Sequence, residues 1–338
     1  MNSGRYRVGL VGCGQVSADH VAAWEQRTDV QVVATCDPDL GRAQARAARF
    51  DGARIYTEPA AMFAAERLDL VDIMTPRETH ASVVRLAHRH GVHALCEKPL
   101  CPTFDEAQAL VAEVGDGIRL MVNENWRYRT YYTLLGQWVR EGRLGTIVHY
   151  RIALKRASLI PNPDGTIPQL LRMPFMAHER RLLIAESLVH ELDITRSLLG
   201  ELDVVASRIA RTSDAVVGED VATILLQSRA GVIAVVEGVF TAAGYPVRNG
   251  NRLEICGTRC SATLDQAVLR LAGAEEEVHM FDEGAMRRLS FELSIAQFVD
   301  CVRSGRPFWT SAADQLQTMR LLDDAYERAG PMHVSRPS

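Results

Sequence analysis

Two groups of residues in this chain have types and spacings suited to chemistry. The run Cys96-Glu97-Lys98-Pro99 closes a short apolar stretch that begins at His93, so it sets a carboxylate and an ammonium at the end of an expected strand. A lysine ammonium in a partly desolvated cleft can orient an alcohol and stabilise charge developing on its oxygen. The second group, Glu186, His190 and Asp193, falls at i, i+4 and i+7, one face of a helix. A histidine with a reference pKa of about 6.5 serves as base or acid near neutrality. Taken alone, each group also fits a solvated loop or a charged surface.

The elements that would position Lys98 start almost at the N-terminus. Arg5 to Val11 reads as a short apolar strand running into Gly12-Cys13-Gly14-Gln15-Val16-Ser17, and an amphipathic helix is expected from about Gln15 to Arg27. In a dinucleotide-binding βαβ unit the first glycine permits the tight turn and the second lets the backbone approach a pyrophosphate. The pyrophosphate then lies against the amides of the helix start, here Gln15 and Val16. Ser17 stands where a third glycine is expected. A second apolar strand, Gln31 to Cys36, ends at Asp37, at the spacing of a ribose-binding carboxylate. Asp37 would accept from both ribose hydroxyls and repel a phosphate, which favours NAD. Arg42 just beyond it keeps NADP as an alternative, and an Asp-Pro turn is the plain reading of Asp37.

Strands and helices keep alternating to about residue 122. Further strands are expected at Leu70–Met74, His93–Cys96 and Arg119–Val122, with helices near 40–50, 81–90 and 103–114, the pattern of a parallel sheet. Thr75, Pro76 and Lys98 all follow strand ends, where such sheets bind ligands. Beyond about residue 145 come longer β-rich segments (146–157, 221–240, 251–264) and one helix from about Arg181 to Leu199. The expected organisation is α/β: a Rossmann domain over 1–122 and an α+β domain over 123–338 with a large, mostly antiparallel open sheet. The C-terminal helix is free to pack back on the first domain. An open sheet must cover one face, which points to a homodimer or homotetramer.

Composition narrows the partners. The 338 residues are 47% hydrophobic with a formal charge of −4, and basic residues alternate with acidic ones, which disfavours nucleic acid. No apolar run approaches a membrane span and the first strand leaves no room for a signal peptide, so cytoplasmic residence is expected. The seven cysteines form no CxxC pair and read as reduced thiols, and Ile194 stands where a zinc HExxH motif needs its second histidine, so no metal is expected.

Together these motifs resemble the glucose-fructose oxidoreductase, inositol dehydrogenase and rhizopine-catabolism (Gfo/Idh/MocA) family over nearly the whole chain. The matching residues are Gly12, Gly14, His20, Asp37, Thr75-Pro76 with His80, Glu97-Lys98-Pro99, Asn125-Trp126-Arg127-Tyr128, and Pro307 to Asp314 at the approach to the final helix. The resemblance implies an NAD(P)-dependent oxidoreductase acting on a secondary alcohol of a sugar, sugar derivative or cyclic polyol. It implies that Gly12, Gly14, Gln15, Val16, Asp37, Thr75, Pro76, His80, Glu97, Lys98 and Asn125 bind the cofactor. It also implies that Lys98 reaches both the nicotinamide ribose and the substrate hydroxyl. In the second domain it maps catalytic roles to Glu186 and His190 and a substrate role to Asp193. Glutamate here replaces the family's aspartate at 186, and Arg180 to Ala185 replaces a glycine-rich helix start.

Hydride would pass between the carbon of the alcohol and the nicotinamide while His190 takes the proton and Lys98 orients the oxygen. Replacing either residue is expected to cut turnover while sparing NAD binding. Trp126, Arg127 and Tyr128 offer aromatic faces and a donor fork for a sugar ring, with packing as the equal alternative. Arg156, Arg172, His178 and Arg180 flank an irregular, proline-rich stretch, 157–177, that suits a substrate loop. Two other functions stay open: a glycosidase-like enzyme with tightly held NAD in a transient redox cycle, and a non-enzymatic NAD-binding sensor.

Overall fold

A computed structural model describes residues 4–334. The chain divides into two compact units, one of residues up to Arg129 with Gly284–Met319, the other of Thr130–Glu283 with the chain from Arg320 on. The first is built on parallel strands β1 (Tyr6–Val11), β2 (Val30–Cys36), β3 (Arg54–Tyr56), β4 (Leu70–Ile73), β5 (His93–Glu97) and β6 (Leu120–Asn123), in the order β3-β2-β1-β4-β5-β6. Strands β2 and β4 are mostly apolar and buried at nearly every position because both faces of the sheet are covered. Crossovers run through α1 (Ser17–Glu25), α2 (Leu40–Ala47), α3 (Pro59–Ala65), α4 (Arg77–Arg89) and α5 (Phe104–Val114). Strand order reverses between β1 and β4, and the carboxyl ends of those strands carry Gly12 and Thr75. Helix α4 starts four residues before the expected 81, directly after Pro76, whose fixed φ suits a helix start.

The second unit holds β7 (Ile147–Lys155), β8 (Leu202–Arg211), β9 (Val221–Ser228), β10 (Ile233–Val239), β11 (Asn251–Gly257), β12 (Cys260–Asp265), β13 (Val268–Gly273), β14 (Glu277–Met280) and β15 (His333–Val334). Their order is β14-β13-β12-β11-β7-β10-β9-β8-β15, antiparallel except where β10 meets β7 and β15 meets β8. Alternation marks one covered face: β9 buries Ala222, Ile224 and Leu226, and β10 buries Ala234 and Val236. Against that face lies α8 (Val189–Leu199), preceded by a π-helical turn, Ile184–Leu188. Gly238 makes the close approach possible: a Cβ there would meet the side chains of Leu188 and Leu183 at 3.0–3.1 Å. Helices α6 (Thr130–Arg140) and α7 (Pro168–Arg172) complete the unit, and α7 with a short 3-10 turn at Pro174–Ala177 gives the expected irregular stretch local order.

The chain then returns to the first unit. Helix α9 (Glu283–Ser304) buries Phe291, Ile295, Phe298 and Val299 in one cluster with Val8, Leu10, Val21 and Trp24. Ala312 and Met319 of α10 (Ala312–Glu327) join the cluster on the other side of the sheet. Among the described residues no helix is long and apolar enough to cross a membrane.

The turn after β1 is pressed against β4. Gly12 has φ +92°, and a Cβ there would stand 2.6 Å from the Met74 carbonyl carbon and 2.8 Å from the Thr75 nitrogen, both backbone atoms that cannot swing away. Gly12→Ala is therefore expected to cost about 2 kcal/mol or more and to abolish NADH binding. Urea denaturation and fluorescence titration check this, and an unaltered variant would show that the turn has slack.

Candidate active site

At the switch point the glycine turn is tied down from below. The Cys13 amide donates to Asp37 Oδ2 at 2.7 Å and the Asp39 amide to Asp37 Oδ1 at 2.9 Å, so Asp37 is 8% exposed and its carboxylate is held at the turn. Gly14 has nothing within 4 Å of where a Cβ would stand, which leaves an open cradle in front of Gln15 and the first amides of α1. Ser17 is buried and donates to the Gly14 carbonyl at 2.6 Å, taking the place of the third glycine. Arg46 of α2 donates to the Ser17 hydroxyl at 2.8 Å. Arg42, the residue that kept NADP open, is paired with Asp39 at 3.4 Å on the surface. The Thr75 hydroxyl is buried and makes no hydrogen bond within the protein. A pyrophosphate cradle, a ribose-height carboxylate and an unsatisfied hydroxyl at the ends of β1, β2 and β4 fit a dinucleotide. The Cys13 thiol is pushed up to about 12 by burial and by Asp37, so it stays neutral beside the turn.

Lys98 follows β5 in a loop held from two sides. On one side Glu97 Oε1 lies 2.9 Å from His20 Nε2 and accepts from Asn123 Nδ2 at 2.7 Å. His20 Nδ1 lies 2.7 Å from Asp72 Oδ2, which also accepts from Trp24 Nε1 at 2.7 Å, and Ser294 of α9 donates to Asn123 Oδ1 at 2.6 Å. Burial opposes charge on His20, but Asp72 and Glu97 outweigh it and raise the imidazole's pKa. Burial likewise opposes charge on Glu97, yet His20, Lys98 and Asn123 bring the carboxyl well below its ordinary range. On the other side His80 Nδ1 lies 3.0 Å from the Pro99 carbonyl and Nε2 lies 2.8 Å from the Thr75 carbonyl, bridging the loops after β4 and β5. Carbonyls attract a cation less than carboxylates do, so burial prevails and His80 is shifted toward the neutral form. His20 and His80, with Glu97, thus lie beneath the loop as supports. They were expected to bind the cofactor, in the case of His80 and Glu97, and here their side chains are occupied by the protein.

In the second unit Glu186 lies on the π turn and His190 in the first turn of α8, both half-buried, whereas Asp193 is fully buried. The single helix expected from 181 splits because the Val189 amide bonds back five residues to the Ile184 carbonyl, the kind of bulge that recurs at functional sites. Its start is capped by a carboxylate that the sequence reading missed. Glu219, 1% exposed, accepts from the Leu182 amide at 3.1 Å, the Ile184 amide at 3.0 Å and the Tyr326 hydroxyl at 2.6 Å. Burial raises its pKa despite these donors. The only local signal was a Gly-Glu-Asp triplet just before a strand. Glu191, also fully buried, accepts from Asn251 at the start of β11. Arg156, just past β7, donates its amide to the Val239 carbonyl at 2.8 Å.

The Asn125–Tyr128 segment is a 3-10 turn whose four residues are all buried. Asn125 donates to Ser290 at 2.9 Å, and Arg127, 3% exposed, pairs with Asp314 at 2.8 Å and donates to the Trp309 carbonyl at 3.0 Å. Tyr128 donates to Gln297, and Arg129 lies 4.1 Å over the Trp126 ring. These contacts hold the segment against α9 and the loop before α10. Spacing alone had left substrate contact and packing equal for Trp126 to Tyr128.

With this geometry in hand the comparisons are specific. The family described as "Oxidoreductase family, NAD-binding Rossmann fold" matches residues 6–123, and "GFO/IDH/MocA C-terminal domain" matches residues 132–263. A D-apiose dehydrogenase from Paraburkholderia graminis is 33% identical over 95% of this chain and 87% of its own length. Inositol 2-dehydrogenase 4 from Saccharopolyspora erythraea is 32% identical over 81% of this chain and 75% of its own. An Agrobacterium radiobacter oxidoreductase solved with NAD+, L-tartaric acid and magnesium superposes with a TM-score of 0.88 at 27% identity, over 96% of each chain. The chain is thus an NAD-binding dehydrogenase. It belongs to the GFO/IDH/MocA family.

Glu219→Ala would strip two backbone donors at the start of the π turn of their acceptor. A loss of roughly 1–3 kcal/mol is expected, with Glu219→Gln retaining part of it; equal urea midpoints for all three proteins would contradict the capping role.

Proposed function

We propose that this chain oxidises a secondary alcohol on a small sugar or cyclic polyol with NAD+, or runs the reverse reduction. The observation that carries the reading is Lys98, half-buried at the end of β5 on a loop braced through Glu97 and through the Pro99 carbonyl. A rigid support for one ammonium suits a group that must meet an oxygen in a fixed place. NAD, when bound, supplies the hydride acceptor. Lys98 orients the alcohol oxygen and stabilises its developing negative charge, and His190 takes the proton. Glu186 lies one turn before His190, where it can hold a neighbouring hydroxyl or the imidazole, and Arg156 stands as a further substrate contact. The two curated relatives named above act on D-apiose and on inositol, which supports a polyhydroxy substrate of similar size.

We further propose a homo-oligomer through the outward face of the nine-stranded sheet, where Val205 and Ile233 stand 47% and 38% exposed. Apolar exposure on an open sheet favours association. Light scattering that gives a monomer mass at micromolar concentration would refute it.

The decisive assay follows NADH absorbance with D-apiose, myo-inositol and a panel of sugars and uronates, with NAD+ and NADP+ in parallel. Turnover of one polyol with NAD+ preferred is expected. Lys98→Ala and His190→Ala should each lower kcat by roughly 10²–10⁴-fold. Full activity of Lys98→Ala would end the assignment, and product formed without stoichiometric NADH would move it to a transient redox cycle.

A further inference from the structure

Two carboxylates face the two nitrogens of one buried ring. His20 has no exposure, and neither ring nitrogen has a neutral acceptor as its near partner: Asp72 Oδ2 is 2.7 Å from Nδ1 and Glu97 Oε1 is 2.9 Å from Nε2. A neutral imidazole carries one N–H, so its bare nitrogen would place a lone pair against a carboxylate lone pair at hydrogen-bond distance. Asn123 Nδ2 also lies 3.1 Å from Nε2 but is nearer to Glu97 Oε1, at 2.7 Å, and it is the doubly protonated ring that donates to both carboxylates. Asp72 has its Oδ1 buried without a hydrogen bond, so its charge is answered entirely at Oδ2, by His20 and Trp24. The groups facing the cluster from each packed element are His20 and Trp24 on α1, Asp72 on β4, Glu97 and Lys98 at β5, Asn123 on β6, and Ser294 and Phe291 on α9. The Phe291 ring lies 5.0 Å from the His20 ring, with Arg287 over its other neighbourhood paired to Asp19. His80 and the buried Cys96 are further titratable groups coupled to Glu97, and Cys96 is coupled to Asp72 as well.

We infer that His20 is a positioning residue for the reaction: as a buried imidazolium between Asp72 and Glu97 it keeps Glu97 ionised and anchored, and Glu97 in turn fixes the loop that presents Lys98. The inference rests on the role proposed above for Lys98. It couples four strands and helices to one side chain, because the anchor of Glu97 continues through Asn123 to Ser294. It also separates His20 from an ordinary core histidine. Such a residue would be neutral, would tolerate an uncharged replacement of similar size, and would support α1 rather than the loop after β5.

Three measurements on the full chain test it. Nitrogen-15 NMR of histidine-labelled protein should show one imidazole with both nitrogens protonated at pH 8, absent from His20→Gln; a neutral tautomer for that resonance overturns the inference whatever the enzyme acts on. Hydrogen exchange read by mass spectrometry should show the segment 97–101 exchanging at least about tenfold faster in His20→Gln, with 12–25 within about twofold. An unchanged loop, or an α1 that opens equally, reduces His20 to a structural group. Should His20→Gln not fold, Asp72→Asn keeps the ring and removes one of its two anions, and the same segment is read. Finally, with the polyol that the assay above identifies, His20→Gln should lower kcat about tenfold or more and move the acid limb of the rate profile to higher pH. The sign follows from Glu97: its pKa is depressed by the imidazolium, so losing His20 raises it. Unaltered kcat and limb in a variant whose loop has loosened would also overturn the inference. If no polyol is turned over, the reading of function falls while the NMR and exchange results still decide the state and reach of His20.

Discussion

The end of β5 depends on burying one positive charge between two negative ones. Taking Asp72, His20 and Glu97 out of water is costly, and buried ionic clusters of this kind rarely add net stability over apolar packing of the same volume. What the cluster supplies is geometry. Its members come from α1, β4 and β5, and its hydrogen bonds reach β6 and α9. Each is short and directional, so a small displacement of any one element breaks a charged hydrogen bond in a low-dielectric setting, where the penalty is large. The contrast with His80 makes the point. That ring sits between two carbonyls, which attract a cation less than carboxylates do, and burial drives it toward neutrality.

Much of the first unit was legible because its signals are local. Runs such as Val30–Cys36 and Leu70–Ile73 are mostly apolar, as strands buried on both faces tend to be, and each glycine, cap and strand-end acid lies within a few residues of what it shapes. Where an element has no such signal it went unread. β3 is three residues long with two of them exposed, and α3 spans only seven residues, the first of them a proline. In the second unit the long strands announced themselves by alternation, but β8 did not: its register shifts between Val204 and Ala206, which interrupts the period of two.

The site was legible in its motifs and illegible in its supports, and the reason is distance along the chain. Lys98 and Asp37 are marked by their immediate neighbours. His20 was visible only as a matching position, because its partners stand 52 and 77 residues away. Arg127 offers a donor fork in the sequence, but its partner Asp314, 187 positions further on, carries no local mark. Asp193 falls on the face predicted with His190, yet a shared face says nothing about depth, and the side chain is fully enclosed. The π turn is similarly silent in the sequence. It is imposed by tertiary caps, Glu219 and Tyr326, on a segment whose residues would serve an ordinary helix equally well.

The return of the chain through α9 bears on how the protein is made. Trp24, Val8 and Leu10 are sealed by Phe291, Ile295 and Phe298, residues that leave the ribosome only after more than two thirds of the polypeptide has been synthesised. Until then the nucleotide-binding sheet has one greasy flank uncovered, and Asn123 lacks the Ser294 hydroxyl that steadies it. Maturation of the cofactor site is thereby tied to synthesis of α9: a product truncated before it keeps the glycine motif but not the finished site, and its bare flank is the kind of surface that chaperones recognise.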